Sequence, residues 1–263
     1  MNGRCENPVG VFDSGCGGIS VLIRLRALLP HEDFLYYGDN AYAPYGGKTR
    51  EEVTARANAI ADHLLARGAK ALVIACNTAT AAAAETLRAR FPDVPVIGME
   101  PAIKPAALSA PRPHVLIMAT EMTLHLEKFR ALMQSLSDEA DFDLLPCPDL
   151  VRLVEEGLPE EKTERRLREI LAPWLVAPSA APDCIVLGCT HFPFARPVIS
   201  RIFGGTVDFY DGAEGTARQL KHRLEECSLI SPDKEKRGRT VLESSSTDPD
   251  VMLRMERFLE TPL

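Results

Sequence analysis

The chain has 263 residues, of which 46% are hydrophobic and 25% are charged, and its formal net charge is −7 at pH 7. These proportions are typical of a globular protein with a sizeable core, and they exclude a largely disordered or fibrous chain. The acidic balance argues against broad electrostatic binding to nucleic acid or to an anionic membrane.

The N-terminal segment and the cysteines indicate a cytoplasmic protein. Residues 1–10 lack the apolar stretch of a signal peptide, and no apolar run approaches the 18 residues that a membrane-spanning helix needs. The seven cysteines form an odd, scattered set, which is not typical of a disulfide framework. We therefore expect reduced thiols in the cytoplasm, one or more of which can be reactive.

Short apolar segments alternate with helical patterns along the chain, which predicts an α/β fold. Strands are predicted at 8–12, 34–37, 71–75, 94–98, 115–119, 184–187 and 207–210, with a further short strand after 239. Helices are predicted at 19–29, 50–67, 77–90, 123–136, 159–174 and 213–226, from about 195, and at the C-terminus, with a helical piece or turn at 150–157. The proline-rich stretch 101–113 is predicted to cross between two domains.

The helix after residue 49 is the best defined. Thr49 followed by Glu52 is a capping box, which marks a helix N-terminus, and Gly68 stands where a terminating glycine belongs. One apolar stripe lies between these signals, formed by Val53, Ala57, Ile60 and Leu64.

Two parts of the chain repeat one pattern. ALVIA is followed by Cys76-Asn77-Thr78, and CIVLG is followed by Cys189-Thr190-His191, so each apolar strand ends in a cysteine that precedes a predicted helix. The repeat predicts two similar α/β domains that face each other. Ligands bind at the carboxyl ends of strands in open α/β sheets, so we expect the active site in the cleft between the domains.

Both strand-end cysteines are candidate reactive thiols, because the positive end of a helix dipole stabilises a thiolate. Inverting a stereocentre removes a proton from one face and returns a proton to the other, and one thiolate and one thiol can divide this task. We expect His191 to assist Cys189, and Asp13 to reach Cys76 across neighbouring strand ends.

Several segments resemble the glutamate racemases, the cofactor-independent enzymes that supply D-glutamate for peptidoglycan. The matching segments are VFDSGCGGISVL (11–22), YYGDNAYAPYGGKT (36–49), LVIACNTATA (72–81), PVIGMEPA (95–102), LVEEG (153–157), IVLGCTHFP (185–193) and YDGAEGTA (210–217). The stretch 119–129 departs from the family pattern at His125, where a small residue is common.

The resemblance implies a two-thiol mechanism without pyridoxal phosphate, any other cofactor, or metal. Cys76 is then the base toward D-glutamate and Cys189 the base toward L-glutamate, with Asp13 and His191 assisting. The residues implied to hold glutamate are Asp13, Ser14, Tyr45, Gly46, Asn77, Thr78, Thr190 and His191. Backbone N–H groups at helix starts suit the carboxylates, and Asp13 or Ser14 can accept from the ammonium.

The resemblance also implies two pseudo-symmetric α/β domains, each with a mainly parallel sheet flanked by helices. The C-terminus returns to the first domain, so we expect residues 1–100 plus 211–263 in the first domain and 101–210 in the second. The expected partner is glutamate, with neither nucleic acid nor membrane, and a homodimer stays open because the sequence does not give the oligomeric state.

Other interpretations remain at this point. The family also contains aspartate and hydantoin racemases, and a non-catalytic amino-acid-binding regulatory protein could keep the same fold. Cys184 and Cys189 begin and end one strand, about 16 Å apart, so a shared metal ion is not expected. Glu155 either reaches the site or lies on a solvated helix face, and Asp39 with Asn40 is expected to form an Asx turn.

Overall fold

The computed structural model of the protein describes residues 5–125, 127–157, 160–177 and 180–263. Pro159, predicted as the first residue of a helix, lies outside these ranges. The chain divides into two compact units, Met1–Glu100 with Ala213–Pro262 and Pro101–Gly212 with Leu263. No helix in the described ranges is long and apolar enough to cross a membrane.

Strands and helices alternate along the described residues. The strands are β1 (Val9–Asp13), β2 (Phe34–Gly38), β3 (Ala71–Ile74), β4 (Val96–Gly98), β5 (His114–Ala119), β6 (Asp141–Pro146), β7 (Cys184–Leu187), β8 (Asp208–Asp211) and β9 (Thr240–Ser244). The helices are α1 (Ile19–Leu28), α2 (Arg50–Ala66), α3 (Asn77–Arg90), α4 (Ile103–Ala107), α5 (Glu121–His125), α6 (Glu127–Ser135), α7 (Pro148–Glu156), α8 (Glu160–Ile170), α9 (Arg196–Ile202), α10 (Ala213–Glu226) and α11 (Pro249–Glu260).

The first unit contains a parallel sheet in the order β4-β3-β1-β2-β9. One face is covered by α2 and α3, whose apolar side chains share a buried cluster with β1, β2 and β3. α1 packs against α10 and α11. The strands β1 and β3 are buried along their whole length, which explains their continuous apolar sequence.

The second unit contains a parallel sheet in the order β6-β5-β7-β8. The first unit has the same order, β2-β1-β3-β4, with β9 added at one edge. Each unit therefore winds its strands in the sequence 2-1-3-4 with helical connections between parallel neighbours. The predicted α/β fold, with two parallel sheets flanked by helices, is confirmed.

The predicted features of α2 are confirmed. Thr49 Oγ1 accepts from the Glu52 amide at 3.2 Å, and the Glu52 carboxylate accepts from the Thr49 amide at 2.8 Å. All four residues of the apolar stripe are buried. Gly68 has a φ of 87°, a left-handed conformation that favours glycine after a helix.

Two elements were not predicted. β6 is an edge strand in which every residue is exposed or half-buried. Its sequence, DFDLLP, lacks the continuous apolar run by which the other strands were predicted. α4 lies inside the proline-rich stretch, which also contains the boundary between the units. Its Pro105 falls in the first turn, where a helix needs no backbone N–H donor.

Candidate active site

The predicted site residues fall into two groups, one in each unit. Asp13, Ser14, Tyr45, Gly46, Cys76, Asn77 and Thr78 belong to the first unit, and Cys189, Thr190 and His191 belong to the second. Each group lies at the carboxyl ends of its own parallel sheet, the edge at which ligands bind in open α/β folds.

Cys76 is the N-cap of α3. Its Sγ accepts from the Ala79 amide at 3.4 Å and donates to Ser14 Oγ at 3.8 Å. β3 and β1 are neighbours, and the Ala75 amide still donates to the Phe12 carbonyl at 2.8 Å. This pairing brings the segment after β1 beside the cysteine. The α3 N-terminus then favours a negative charge on the sulfur.

Asp13 is the last residue of β1 and is fully buried. Its Oδ2 accepts from the amides of Gly15 and Gly18, at 3.1 and 3.0 Å. Gly18 has no room for a side chain, since an added Cβ would lie 2.5 Å from Asp13 Cβ. The glycine-rich turn therefore closes around the carboxylate that was predicted to assist Cys76.

Tyr45 is buried, and its hydroxyl donates to Asp39 Oδ2 at 2.5 Å. Burial, together with this bond and the Asp39 charge, raises the pKa of Tyr45 far above its usual value, so it stays a neutral phenol. Gly46 follows in the same short 3-10 turn, Tyr45–Gly47, and is half-buried.

The expected Asx turn at Asp39 and Asn40 is wrong. The Asp39 carboxylate is fully buried and accepts from Arg56 as well as from Tyr45. Asn40 instead donates to Cys16 Sγ and accepts from the Ser244 hydroxyl. The sequence contains one signal that Asp39 is a buried carboxylate at the site. Asp39 directly follows the carboxyl end of β2, just as Asp13 ends the neighbouring strand β1.

Asn77 and Thr78 are the first two residues of α3, and both are buried. They stand where the first amides of the helix have no partner within the helix. A carboxylate at this end of α3 would meet these amides and the positive end of the helix dipole.

Cys189 follows β7 in the second unit and is half-buried. Its Sγ lies 3.7 Å from Nδ1 of His191, and Nε2 of that ring lies 2.8 Å from Glu155 Oε1 on α7. Glu155 therefore reaches the site, which answers the alternative that the sequence left open. Thr190, between the cysteine and the histidine, is buried.

His191 is held as an imidazolium by its neighbours. Burial lowers the pKa of His191, but hydrogen bonds with Cys189 Sγ and with Glu155, and the charges of both groups, outweigh burial and raise the pKa to about 10. At neutral pH the ring then donates from both nitrogens, one toward the sulfur and one toward the carboxylate.

The helix predicted directly after Cys189 is displaced. A 3-10 turn, Phe192–Ala195, comes first, and α9 begins only at Arg196. Cys189 is therefore not at the N-terminus of an α-helix, and the helix-dipole argument applies to Cys76 alone. The group that stabilises negative charge on Cys189 is instead the imidazolium of His191.

A further thiol, Cys147, is the N-cap of α7. It is fully buried, donates to the Leu145 carbonyl at 3.5 Å, and packs in the same apolar cluster against which Cys189 lies. Burial and the nearby Cys189 raise the pKa of Cys147 to about 12, so it stays a neutral thiol. The interpretation of Cys147 as structural agrees with this burial.

Neither a disulfide nor a metal-binding cluster occurs in the described residues. All seven cysteines lie within those ranges, and no two of them are bonded. No group of three or more His, Cys, Asp or Glu side chains there could hold a metal ion.

Comparisons with known proteins agree on one family. A family model described as Asp/Glu/Hydantoin racemase matches residues 19–220. The glutamate racemase of Clostridium perfringens (strain ATCC 13124) is 44% identical over 254 residues, which are 96% of this chain and 96% of that protein.

Solved structures of glutamate racemases are also similar to this chain. The Escherichia coli glutamate racemase in complex with L-glutamate and the activator UDP-MurNAc-ala has a TM-score of 0.82 and 31% identity, covering 96% of this chain and 95% of that one. The Thermus thermophilus glutamate racemase in complex with β-chloro-D-alanine has a TM-score of 0.76 and 37% identity, covering 98% and 94%.

Proposed function

The chain belongs to the Asp/Glu/Hydantoin racemase family, and on this basis we propose that two of its thiols, Cys76 and Cys189, exchange the α-proton of glutamate. Relatives that are 42% and 44% identical over 97% and 96% of the chain are named glutamate racemases. The chain is accordingly an isomerase that interconverts L- and D-glutamate.

The observation that carries the proposal is the contact series from Cys189 Sγ to His191 to Glu155, which equips one of the two thiols as a base. A protonated imidazole beside a sulfur stabilises the thiolate before it takes a proton. We assign Cys189 as the base that removes the α-proton of L-glutamate. The same sulfur, once it carries that proton, returns it in the reverse direction.

Cys76 acts on the opposite face in this proposal. Its thiol gives a proton to the α-carbon while Cys189 removes one, and the product is D-glutamate with a thiolate at Cys76. The thiolate is stabilised by the amide of Ala79 and the α3 N-terminus. Ser14 contacts this cysteine, and we propose that Ser14 and the adjacent Asp13 accept from the substrate ammonium.

The amides at the start of α3 are proposed to hold a substrate carboxylate, with Asn77 and Thr78 supplying short polar side chains. Thr190 and His191 are proposed to do the same in the second unit. Negative charge that develops on the substrate during proton removal is stabilised by such fixed donors. No cofactor or metal is needed in this scheme.

The family also suggests where the protein works and what its product is used for. We propose that the protein works in the cytoplasm and that the D-glutamate it makes enters peptidoglycan synthesis. We further propose that the two compact units are its two domains, and a homodimer is the assembly to test first.

The decisive experiment follows deuterium at the α-carbon in heavy water, with dialysed protein and no added cofactor. We expect early D-glutamate formed from L-glutamate to carry solvent deuterium, while recovered L-glutamate carries little, because two different bases act. Cys76→Ser and Cys189→Ser should each lose on the order of 10²–10⁴ in rate with unchanged circular dichroism.

Cys227→Ser is the matched control, because Cys227 is exposed and outside both groups. It should keep the wild-type rate. A Cys76→Ser variant as fast as wild type would remove this thiol from the mechanism. L-aspartate serves in the same assay as the rival substrate, and faster turnover of aspartate would overturn the glutamate assignment.

A further inference from the structure

A buried carboxylate outside the predicted site anchors the segment that contains Tyr45. We name residues 40–47 the Tyr45 segment; it contains two short 3-10 turns, Asn40–Tyr42 and Tyr45–Gly47. Asp39 lies directly before it, is fully buried, and its amide donates to the Asp13 carbonyl at 3.0 Å. The segment is thereby tied to the end of β1.

Arg56 on α2 provides the counter-charge for Asp39. Its Nη2 donates to Oδ1 at 2.7 Å and its Nε donates to Oδ2 at 2.9 Å, the two-pronged geometry that only arginine offers. The guanidinium carbon also lies 3.6 Å from the centroid of the Tyr42 ring. The Arg56 side chain therefore contacts the segment at Tyr42, in its first turn, and also binds Asp39, the residue directly before the segment.

The same carboxylate fixes the second turn. Tyr45 donates its hydroxyl to Asp39 and shares a buried cluster with Cys76. Because this hydroxyl donates its proton to Asp39, it cannot also donate to a substrate carboxylate, so donors to that carboxylate must come from the backbone of the segment. Those backbone groups keep their place only while Asp39 stays buried, and a buried carboxylate needs its counter-charge.

We propose that Arg56 is a positioning residue for glutamate binding, which acts through Asp39 to hold the Tyr45 segment beside Cys76. The inference rests on the proposed function, because it takes glutamate as the ligand next to Cys76. It assigns Arg56 no contact with the substrate and no proton transfer.

The test compares Arg56→Lys and Arg56→Met with wild type in racemisation assays in both directions. Lysine keeps the charge but not the two-pronged geometry, so we expect KM for both enantiomers to rise about threefold, and about tenfold or more with methionine. kcat should fall less than threefold in each case, because neither thiol is displaced. A purely stabilising ion pair would lower the melting temperature and leave KM unchanged.

Calorimetric titration with D-glutamate gives a second readout that does not depend on turnover. The two enantiomers have equal enthalpy, so racemisation adds no net heat and the active enzyme can be used. The apparent dissociation constants, which describe the mixture of enantiomers that the active enzyme forms, should rise in the same order as KM.

Arg90→Met is the matched control, since Arg90 forms an exposed ion pair with Asp62 on the surface of the same unit. It should keep wild-type kcat and KM. Wild-type KM and affinity in folded Arg56→Lys would overturn the inference even if Arg56→Met fails to fold. Glutamate binding without turnover by wild type would instead count against the proposed function.

Discussion

At the residue scale, the two thiols are equipped differently. Cys76 accepts from a backbone amide at the N-terminus of α3. Cys189 contacts an imidazole that in turn contacts a carboxylate. Fixed backbone dipoles do not titrate, but an imidazole does. We therefore expect kcat and KM, taken separately, to depend on pH differently in the two directions, whereas kcat/KM stays equal in both because the enantiomers have equal free energy.

The His191–Glu155 contact gives a prediction for pH. The pKa of His191 in the folded protein, about 10, lies above the value of about 6.5 expected in an unfolded chain. The stabilisation from the imidazolium is therefore complete below pH 6.5 and is lost as the pH rises toward 10. Glu155→Gln should lower the pKa of His191. The free energy of unfolding of this variant should fall furthest below that of wild type at pH values under 6.5.

Nitrogen–proton NMR of the imidazole rings measures this pKa, and His191→Asn identifies the signal. Cys189→Ser should lower the same pKa, because the sulfur is the other group that favours the charged ring. Glu226→Gln, which changes an exposed pair with His222, is the control and should leave the His191 signal unaltered. A wild-type ring that titrates near 6.5 would contradict the proposed ion pair.

At the element scale, α2 links a local sequence signal to the candidate site. Its capping box fixes where the helix starts, and its buried stripe fixes which face meets the sheet. Arg56 lies beside Ala57 of that stripe, at the border of the buried face, where a long side chain can reach a buried carboxylate. The start of the helix therefore sets the register in which Arg56 meets Asp39.

Thr49→Ala removes the acceptor for the Glu52 amide. We expect the free energy of unfolding to fall by about 1 kcal/mol, the usual effect of losing such a cap. Urea unfolding followed by circular dichroism measures the change. Thr49→Ser keeps the hydroxyl and should cost much less, so equal losses in the two variants would show that the hydroxyl does not stabilise the helix.

At the scale of the whole molecule, the C-terminal segment completes the first unit. β9 pairs in parallel with β2, and α11 packs against α1 and β9 with Val251, Met255 and Phe258 buried. Each such side chain contributes roughly 1.5–3 kcal/mol when buried. Their sum is comparable to the whole stability of a typical domain, about 5–15 kcal/mol.

A chain that ends at Arg239 is therefore expected to lose cooperative unfolding of the first unit and to lose racemase activity. Thermal unfolding and the racemisation assay measure the two losses. Leu253→Lys, on the exposed face of α11, is the matched control and should change stability little. A truncated chain with the melting temperature of the full chain would show that the first unit does not need this segment.

Much of this architecture was determined by local sequence. Continuous apolar strands, the capping box and the glycine after α2 act over a few residues, so β1, β3 and α2 could be predicted. The strand-end cysteines were equally visible, because the repeat of strand, cysteine and polar residues is itself a local pattern. The family resemblance then supplied the remaining site residues as expectations.

Tertiary structure alone decided the electrostatic partners. Asp39 meets Arg56, and Glu155 meets His191, only because separate elements of the chain pack together. The edge strand β6 and the 3-10 turn after Cys189 likewise depend on neighbours that periodicity cannot reveal. Hydrophobic periodicity reports which face is buried, whereas the charge that a buried group meets is set by the whole fold.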